Sequence, residues 1–571
     1  MKKSFQRPAL LIAAVFLFVS IFAGCGGNNG GAEQSGTTGS ATVTAAGSST
    51  PETEAGLPKN GIKFEPEVEI STACILGDVT KFKNGETIDN NVHTRWAKDT
   101  LGINIKYLWT TPETNDAFRT KLMLSLSANE PLPDFLNVGM EIAQDLIDSG
   151  RFQAVDEMFE KYACPEWKKA MAEVPDAWLP YLRDGKKYAI PELDYIMQHD
   201  DVMWMRKDWL EKLGLQAPKT IAELETVMDA FVNRDPDGNN KKDTYGLTAT
   251  MLTNYNAWIG PGPIFGSFGA IAQKWQKDEK GEIVYGSVRP EIKATLGKFK
   301  EWIEKGYVHK EIGMHDEMKA SELFTSGKAG IAFGASWLYG WPLGDTEKNV
   351  PGAVVWPYPL PAGPDGKIGQ ASEGSHYFVM LFNKDFKNPE IFFNYYNYLY
   401  QNYMLPVEGG VFENGFAKGY DYDIVDGKPV FTDELIPGGR VAPEKYFLAL
   451  PPRMPSLYMT TLAGLANGKT PETLFEKKVA TVGIQQPLEA AKIVVDQHSH
   501  TIDDLFTGKP TDTMKEKLAD LKTMETETFS KIIYGKVGLD AFDKFVTDWY
   551  AKGGQQITDE VREWYKSVGG K

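Results

Sequence analysis

Oxygen-bearing residues alternate along one loop in the middle of the chain, directly after a predicted helix. Residues 235–243 are Asp-Pro-Asp-Gly-Asn-Asn-Lys-Lys-Asp. The oxygen donors fall at odd positions: Asp235, Asp237, Asn239, Lys241 (through its backbone carbonyl) and Asp243. Hard cations such as Ca²⁺ bind about six to eight oxygens at about 2.4 Å, and the same spacing surrounds the ion in an EF-hand loop. We therefore expect a structural Ca²⁺ site in this loop.

The loop departs from the EF-hand pattern at its end. Its twelfth position is Gly246, where an EF-hand loop has a bidentate glutamate, and its tenth is Thr244. The remaining ligands must then come from elsewhere in the chain or from water. The alternative is a polar turn of Asp, Asn and Gly residues that binds no metal.

Motifs for catalysis and for nucleic-acid binding are missing from the sequence. No G-x-S-x-G, H-E-x-x-H, P-loop or helix-opening G-x-G-x-x-G is present. The 571 residues include 61 Lys and Arg against 77 Asp and Glu, a formal charge of −16. Binding to phosphates needs a basic face, so this balance argues against nucleic acid as the main partner. We predict a protein that is not an enzyme.

The amino terminus has the features of a targeting signal. Three basic residues precede an apolar run at 9–23, which is shorter than the ~20 residues of a membrane-spanning helix. The run ends in Phe-Ala-Gly-Cys at 22–25, which resembles a bacterial lipobox. We expect residues 1–24 to be a signal peptide and Cys25 to carry lipid, which holds the protein on the extracellular face of the cytoplasmic membrane. The alternative is an ordinary secretory signal with a chance cysteine.

The segment after this cysteine has almost no large apolar side chain. Residues 25–60 are rich in Gly, Ser and Thr, and such a segment buries too little surface to offset its ordering entropy. We predict a lipidated flexible tether.

Cys74 and Cys164 are the other cysteines, and they either pair or remain two separately buried thiols.

From residue 62 onward, predicted strands alternate with predicted helices, which indicates an α/β body. Thr220 is the predicted N-cap of a helix at 221–232, and Gly214 should end a helix at 209–213 that Asp208 caps. Residues 390–403 place many aromatic side chains at helical spacing, so we predict a buried core helix there.

Short motifs follow one another in a fixed order along this body. They lie at 126–134, 188–191, 204–215, 218–220, 235–246, 326–333, 337–341, 358–366 and 542–565. In this order they resemble the family 1 extracellular solute-binding proteins of ABC sugar importers, and most of all the large lipoproteins that bind oligosaccharides.

The resemblance implies a two-lobed α/β fold whose lobes close over ligand about a hinge. Each lobe is discontinuous: the first takes 61–195 plus about 352–400, and the second takes about 200–350 plus about 401–571. The implied crossings lie near 192–200, 337–357 and 399–406. The loop at 235–243 would lie in the second lobe, as in alginate-oligosaccharide receptors. The implied partners are an oligosaccharide ligand and the permease subunits of an ABC transporter, with the receptor itself a monomer.

Candidate ligand-binding residues follow from the chemistry of sugars. Sugars present flat apolar C–H faces and a rim of hydroxyls, so their sites combine aromatic platforms with carboxylates, amides and arginine. The candidates are Trp258, Trp337, Trp341, Glu373, His376, Tyr377, Arg206 and Asp78. Each has a structural alternative, because tryptophan often lies in the core and an arginine often pairs with a surface acid.

Two other functions remain open at this point. A secreted polysaccharide-active enzyme would share the aromatic residues but needs an acid/base pair of carboxyl groups. A sugar-sensing receptor for a signalling partner would bind ligand in the same way as an importer's receptor.

Overall fold

The computed structural model of the protein describes residues 61–77, 80–114, 116–372, 374–481 and 483–569. The predicted signal peptide, the lipid-bearing Cys25 and the tether lie outside these residues, as do Asp78 and Glu373. In the part of the chain that is described, no helix is both long and apolar enough to cross a membrane.

The described strands, in chain order, are β1 Val68–Leu76, β2 Ile103–Pro112, β3 Phe135–Gly139, β4 Leu182–Arg183, β5 Lys186–Lys187, β6 Ile190–Leu193, β7 Asp201–Arg206, β8 Tyr245–Thr248, β9 Trp275–Lys277, β10 Ile283–Tyr285, β11 Ala329–Ala335, β12 Val355–Tyr358, β13 Gln370–Ala371, β14 His376–Phe382, β15 Asp423–Val425, β16 Lys428–Val430 and β17 Thr501–Ile502.

The described α-helices are α1 Val92–Leu101, α2 Ala117–Ser127, α3 Met140–Asp148, α4 Asp156–Tyr162, α5 Pro165–Glu173, α6 Lys207–Leu213, α7 Ile221–Asn233, α8 Gly262–Ser267, α9 Pro290–Glu304, α10 Glu317–Thr325, α11 Asp345–Asn349, α12 Glu390–Asn402, α13 Leu457–Ala466, α14 Leu474–Ala480, α15 Gln485–Gln497, α16 Asp512–Ile533, α17 Asp540–Trp549 and α18 Gln555–Ser567.

A first lobe packs around two groups of strands. An antiparallel sheet has the order β3-β14-β6, and β1 pairs in parallel with β2. Ser71 of β1 donates a hydrogen bond of 2.6 Å to Asp134, which directly precedes β3. The apolar core of this lobe includes most of α12 and extends to Leu448 and Met454.

A second lobe packs around a four-stranded sheet in the order β12-β7-β11-β8. Strand β7 is antiparallel to both β12 and β11, whereas β11 and β8 are parallel. The seven residues of β11 are all buried, as expected for a central strand covered on both faces. The core of this lobe reaches the carboxyl-terminal helices through Phe529, Trp549 and Val561.

Packing and strand pairing correct the predicted lobe boundaries. Strand β12 hydrogen-bonds to β7, so residues 352–358 belong to the second lobe, and no crossing lies at 337–357. Met404 and Phe412 lie in the first-lobe core, so the crossing predicted at 399–406 is also wrong. Among the described residues, the chain passes between the two cores at 194–200 and 454–459, and again between β13 and β14.

Local sequence accounts for several element ends. Thr220 caps α7 by accepting from the backbone N–H of Glu223, and Gly214 ends α6 in the left-handed conformation, both as predicted. Asp208 is not the N-cap of α6, because the helix begins at Lys207 and Asp208 lies in its first turn. An acidic side chain there interacts favourably with the positive end of the helix dipole.

Cys74 and Cys164 are free thiols, which settles the alternative left open by the sequence. Cys74 lies in β1 and Cys164 directly precedes α5. Burial raises the pKa of each thiol to about 12, so both stay protonated at neutral pH.

Candidate functional site

Aromatic rings from both lobes line up beside the crossing segments. Tyr377 of the first lobe lies 6.4 Å from the ring of His199, and His199 lies 6.1 Å from Trp337 of the second lobe. Trp337 lies 6.1 Å from Trp258, which lies 5.8 Å from Trp341. The two ends of the row are the most open, with Tyr377 41% and Trp341 51% exposed. These five rings are called the aromatic row below.

The second-lobe members of the row come from two adjacent loops. Trp337 and Trp341 follow β11, and Trp258 lies in the loop between β8 and α8. The backbone carbonyl of Trp258 passes so close to Gly334 of β11 that a Cβ at Gly334 would lie 2.2 Å from it. Glycine at this position therefore allows the two loops to present their tryptophans side by side.

The imidazole of His199 is fixed within the row. The indole Nε1 of Trp337 donates a hydrogen bond of 3.2 Å to Nδ1 of His199. His199 belongs to the first crossing segment, so it lies between the rings that the two lobes contribute. Sequence reasoning missed this residue. The sequence did offer one signal for it: His199 lies inside the crossing predicted at 192–200, and a crossing segment adjoins the ligand site in a two-lobed fold.

A β-bulge decides which of two neighbouring candidates faces outward. The pairing of β14 with β6 shifts register between His376 and Phe378, which leaves Tyr377 as the extra residue. Bulges re-aim a side chain in this way. His376 instead points into the core, where its Nε2 lies 2.8 Å from the hydroxyl of Tyr181. Burial lowers the pKa of His376 to about 4. The prediction of a ligand-binding role for His376 is therefore corrected to a core histidine.

Arg206 is also placed away from the aromatic row. It is the last residue of β7, a strand whose first residue, Asp201, adjoins the crossing segment. Five steps at ~3.3 Å put it about 16 Å farther along the sheet. Its guanidinium donates two hydrogen bonds, of 2.8 and 2.6 Å, to the carboxylate of Asp208 and stacks on Trp209. The structure thus assigns Arg206 to a buried ion pair of the second lobe, which corrects the prediction that it reaches the ligand.

A cavity of about 400 Å³ adjoins the first-lobe end of the row. Besides Tyr377, its walls are Asp116, Arg119, Gly139, Met140, Glu141 and Ile142. Arg119 also donates a hydrogen bond of 3.2 Å to Asp145. The cavity therefore combines an exposed aromatic face with charged groups of both signs.

The three crossing segments run side by side and are tied by hydrogen bonds. The backbone N–H of Asp194 donates to the carbonyl of Ser375 (2.8 Å), and that of Ile196 donates to the carbonyl of Pro455 (3.0 Å). Arg453 forms an ion pair with Asp194. These crossing segments thus form a band of backbone bonds with one buried ion pair, a geometry that suits a hinge. A further contact between the lobes lies outside this band, where Lys509 pairs with Asp145 (3.2 Å) and Asp148 (2.7 Å) of α3.

The loop at 235–243 folds around the side chain of Asn239. Asn239 Nδ2 donates to Asp237 (2.7 Å) and to Asp243 (3.0 Å), while Asp235 accepts from the backbone N–H of Asn239 (3.0 Å). Lys328 forms an ion pair of 2.6 Å with Asp243. Asp237 and Asp243 therefore accept from the side-chain amide of Asn239, whereas Asp235 accepts from the backbone N–H groups of Asn239 and Asn240.

The electrostatics of this loop are those of crowded carboxylates. Burial and the neighbouring carboxylates of Asp243 and Asp235 raise the pKa of Asp237. Among the described residues, no three His, Cys, Asp or Glu side chains are already arranged to hold a metal ion. The donor set suits a hard cation by its chemistry, but the Asn239 amide would have to turn for its oxygen to join the carboxylates.

Sequence relatives of the chain include two proteins of Bacillus subtilis (strain 168). The polygalacturonan/rhamnogalacturonan-binding protein YtcQ is 26% identical over 396 residues, which are 67% of this chain and 71% of YtcQ. Lipoprotein LipO is 24% identical over 381 residues, which are 64% of this chain and 68% of LipO.

The fold matches that of known two-lobed binding proteins. The HMO-binding, ABC-transporter-associated solute-binding protein of Bifidobacterium longum infantis ATCC 15697 aligns with a TM-score of 0.64 at 19% identity, covering 88% of this chain and all of the other. The family model of the bacterial extracellular solute-binding proteins matches residues 80–400, more than half of the chain. The protein therefore belongs to the bacterial extracellular solute-binding protein family, whose members are binding proteins rather than enzymes.

Proposed function

We propose that the protein captures an oligosaccharide between its two lobes and delivers it, chemically unaltered, to the permease subunits of an ABC transporter. The observation that carries this proposal is the aromatic row, which runs from Tyr377 of the first lobe to Trp341 of the second. A series of rings longer than one sugar unit favours a chain of sugars over a monosaccharide.

The chemistry of the row favours a carbohydrate. Aromatic faces contact the apolar C–H faces of sugar rings, while polar groups of the adjoining cavity, such as Arg119 and Glu141, can hydrogen-bond to hydroxyls. The names of YtcQ and of the Bifidobacterium protein, which specify polygalacturonan/rhamnogalacturonan and HMO, support this substrate class.

Closure of the lobes would follow from the same contacts. A ligand shifts an equilibrium between open and closed forms only if it makes contacts in the closed form that the open form lacks. A sugar held by Trp337 and Trp341 on one side and Tyr377 on the other makes such contacts, because these residues belong to different lobes.

A thermal-shift screen against oligosaccharides tests the proposal. We expect at least one oligosaccharide to raise the melting temperature, and chromatography of the bound sugar after long incubation to return it intact. Cleaved sugar would overturn the receptor function. A failure of plant, milk and fructan oligosaccharides alike to stabilise the protein would overturn the sugar proposal.

We further propose that Cys25 anchors the protein through lipid on the extracellular face of the membrane, which the relationship to lipoprotein LipO supports. Each buried CH₂ of an acyl chain contributes ~0.8 kcal/mol, so two or more chains hold a protein firmly. Cys25→Ser should therefore release the protein into the medium. Equal retention of this variant on cells would exclude the lipid anchor.

The loop at 235–243 is proposed to bind Ca²⁺ through Asp235, Asp237, Asn239, Asp243 and the carbonyl of Lys241. At about 100 times Kd, Ca²⁺ should stabilise the protein by ~2.7 kcal/mol. Chelator should then lower the melting temperature of the wild type but not of Asp237→Ala. Asp278→Ala is a matched control, because Asp278 also accepts backbone N–H bonds in an exposed turn. This variant should respond to chelator as the wild type does. Identical melting with and without chelator would leave the loop a plain turn.

A further inference from the structure

A second cavity, of about 430 Å³, lies beside the aromatic row. Its lining residues are Thr253, Asn254, Asn256, Gln273, Lys274, Ala371, Ser372 and Lys522. The chain places it there, because Asn256 is two residues from Trp258 and therefore within about 7 Å of it. The loop that forms one wall of the cavity thus also carries an aromatic ring of the row.

Two lysines give this cavity its charge. Among the described residues, no carboxylate lies within ion-pairing distance of the ammonium groups of Lys274 or Lys522. Other lysines of the described chain, such as Lys280, also form no ion pair, so the distinguishing feature is that Lys274 and Lys522 line the same cavity.

Two buried carboxyl groups lie near these lysines without forming an ion pair with them. The charges of Lys274 and Lys522 act to lower the pKa of Asp504, although burial outweighs them and raises it. Asp504 accepts backbone N–H bonds from Trp275 (3.1 Å) and Phe506 (3.2 Å). Glu525, one helical turn after Lys522 in α16, is fully buried. Burial raises the pKa of Glu525 to about 7, so much of its charge is lost at neutral pH.

The amide groups of the cavity are held in place by backbone bonds. Gln273 donates to the carbonyl of Thr253 (2.9 Å) and accepts from the N–H of Tyr255 (3.2 Å). Asn256 donates to the carbonyl of Ala272 (2.8 Å), and its buried Oδ1 has no partner among the described residues. Asn256 and Gln273 are thus held in fixed positions by the protein, and such a preorganised wall lowers the cost of ordering a ligand.

We propose that this cavity binds an anionic substituent of the sugar ligand, a carboxylate or a sulfate ester, through Lys274 and Lys522. This inference rests on the proposed function, and it narrows the ligand class from oligosaccharides in general to acidic ones. Ammonium groups form charge-assisted hydrogen bonds to such anions, and the neighbouring amides accept from and donate to hydroxyls. The aromatic row then holds the sugar faces while the lysines select the charge.

The test compares matched ligands and matched variants by calorimetry. The ligands are oligogalacturonate, its methyl ester, a sulfated galacto-oligosaccharide and a neutral galacto-oligosaccharide, each at low and high salt. The variants are Lys274→Met, Lys522→Met and the double variant. Lys280→Met is the control, because Lys280 is an exposed lysine in the β9–β10 turn outside the cavity. Melting temperatures verify that each variant is folded.

We expect an acidic ligand to bind at least tenfold more tightly than its neutral counterpart, and this preference to shrink at high salt. Each cavity variant should weaken acidic binding about tenfold or more while leaving neutral binding and the melting temperature unchanged. Whichever of oligogalacturonate and the sulfated ligand binds with the higher affinity shows whether the cavity prefers a carboxylate or a sulfate ester.

The possible failures are distinguishable. A neutral oligosaccharide that binds as tightly as the acidic ones, with the same affinity in the double variant, would overturn this inference and leave the proposed function intact. Equal losses in Lys274→Met and Lys280→Met would also overturn it. Absence of binding by every sugar, neutral or acidic, would overturn the proposed function together with this inference.

Discussion

Helix α12 and the aromatic row are both dense in aromatic side chains, yet they differ in exposure. Phe392, Tyr395 and Tyr396 of α12 are at most 2% exposed, whereas Trp341 and Tyr377 at the ends of the row are 51% and 41% exposed. The hydroxyls of the buried tyrosines are also satisfied within the protein: that of Tyr396 donates to the carbonyl of Leu450, and that of Tyr395 lies 2.8 Å from His93 Nε2.

This difference separates two uses of the same side chains. Rings in α12 fill the first-lobe core, where their apolar area is removed from water on folding. Rings in the row keep area in water that only a bound molecule can cover, and large exposed aromatic surface is a feature of binding sites. Mutations in the two regions should therefore affect different quantities.

The largest expected effect is on stability, from the core helix. Phe392→Ala removes a fully buried ring and leaves a cavity, which should lower the free energy of unfolding of the first lobe by about 3–5 kcal/mol. Urea denaturation followed by circular dichroism measures this loss. Trp341→Ala is the comparison variant and should change stability by no more than ~0.5 kcal/mol. A comparable loss in both variants would abolish the distinction between the two regions.

A second effect concerns pH and again belongs to the core. Glu192 lies in β6 near the α12 tyrosines, and burial raises its pKa from 4.5 to about 7, although hydrogen bonds from Leu450 and Asn137 and the charge of Arg453 oppose the shift. A carboxyl group whose pKa is higher in the folded state binds its proton more tightly there. Its contribution is therefore fully present below pH 4.5 and is lost as the pH rises to about 7, by roughly 2–3 kcal/mol.

Glu192→Gln removes this titration, so the variant should lose less stability than the wild type between pH 5 and 8. Denaturant titrations across this range give the slope of the unfolding free energy against pH. This slope reports the titration of Glu192 even if the substitution changes the stability by a constant amount at every pH. Trp341→Ala should keep the wild-type slope. An unchanged slope in Glu192→Gln would show that this carboxyl group does not titrate as proposed.

The smallest effect is on affinity, from the row. Trp337→Ala should weaken oligosaccharide binding by ~1–3 kcal/mol, because it removes one large aromatic surface from the ligand. Isothermal titration measures this change. Trp356→Ala is the control, since Trp356 is a partly buried tryptophan of β12 outside the row. Unchanged affinity in Trp337→Ala would remove that residue from the site.

Patterns that act over a few residues were predictable from the sequence. Thr220 and Gly214 bound their helices as expected, and the aromatic helix at 390–403 is buried as expected, because caps and helical periodicity depend on neighbouring residues. Trp258, Trp337 and Trp341 are brought together as well, since Gly-rich loops flank them in sequence.

Features that depend on pairing between distant segments were not predictable. His376 and Tyr377 were both candidates for ligand binding, but a bulge against β6 turns only Tyr377 outward, and no local pattern marks that bulge. The lobe boundary failed for the same reason, because β12 joins the second-lobe sheet by pairing with β7, some 150 residues earlier in the chain. Arg206 has its carboxylate partner two residues away, but only the sheet shows how far it lies from the row.

Small-angle X-ray scattering of the protein with and without its best-binding oligosaccharide tests the central claim most directly. Rings at 199, 258, 337, 341 and 377 come from both lobes and the segment between them, so a sugar chain that contacts all of them binds both lobes at once and favours the closed form over an open one. We predict a smaller radius of gyration in the presence of the sugar, and no such decrease in Trp337→Ala at the same sugar concentration. A radius unchanged by saturating sugar would contradict closure of the two lobes around the aromatic row.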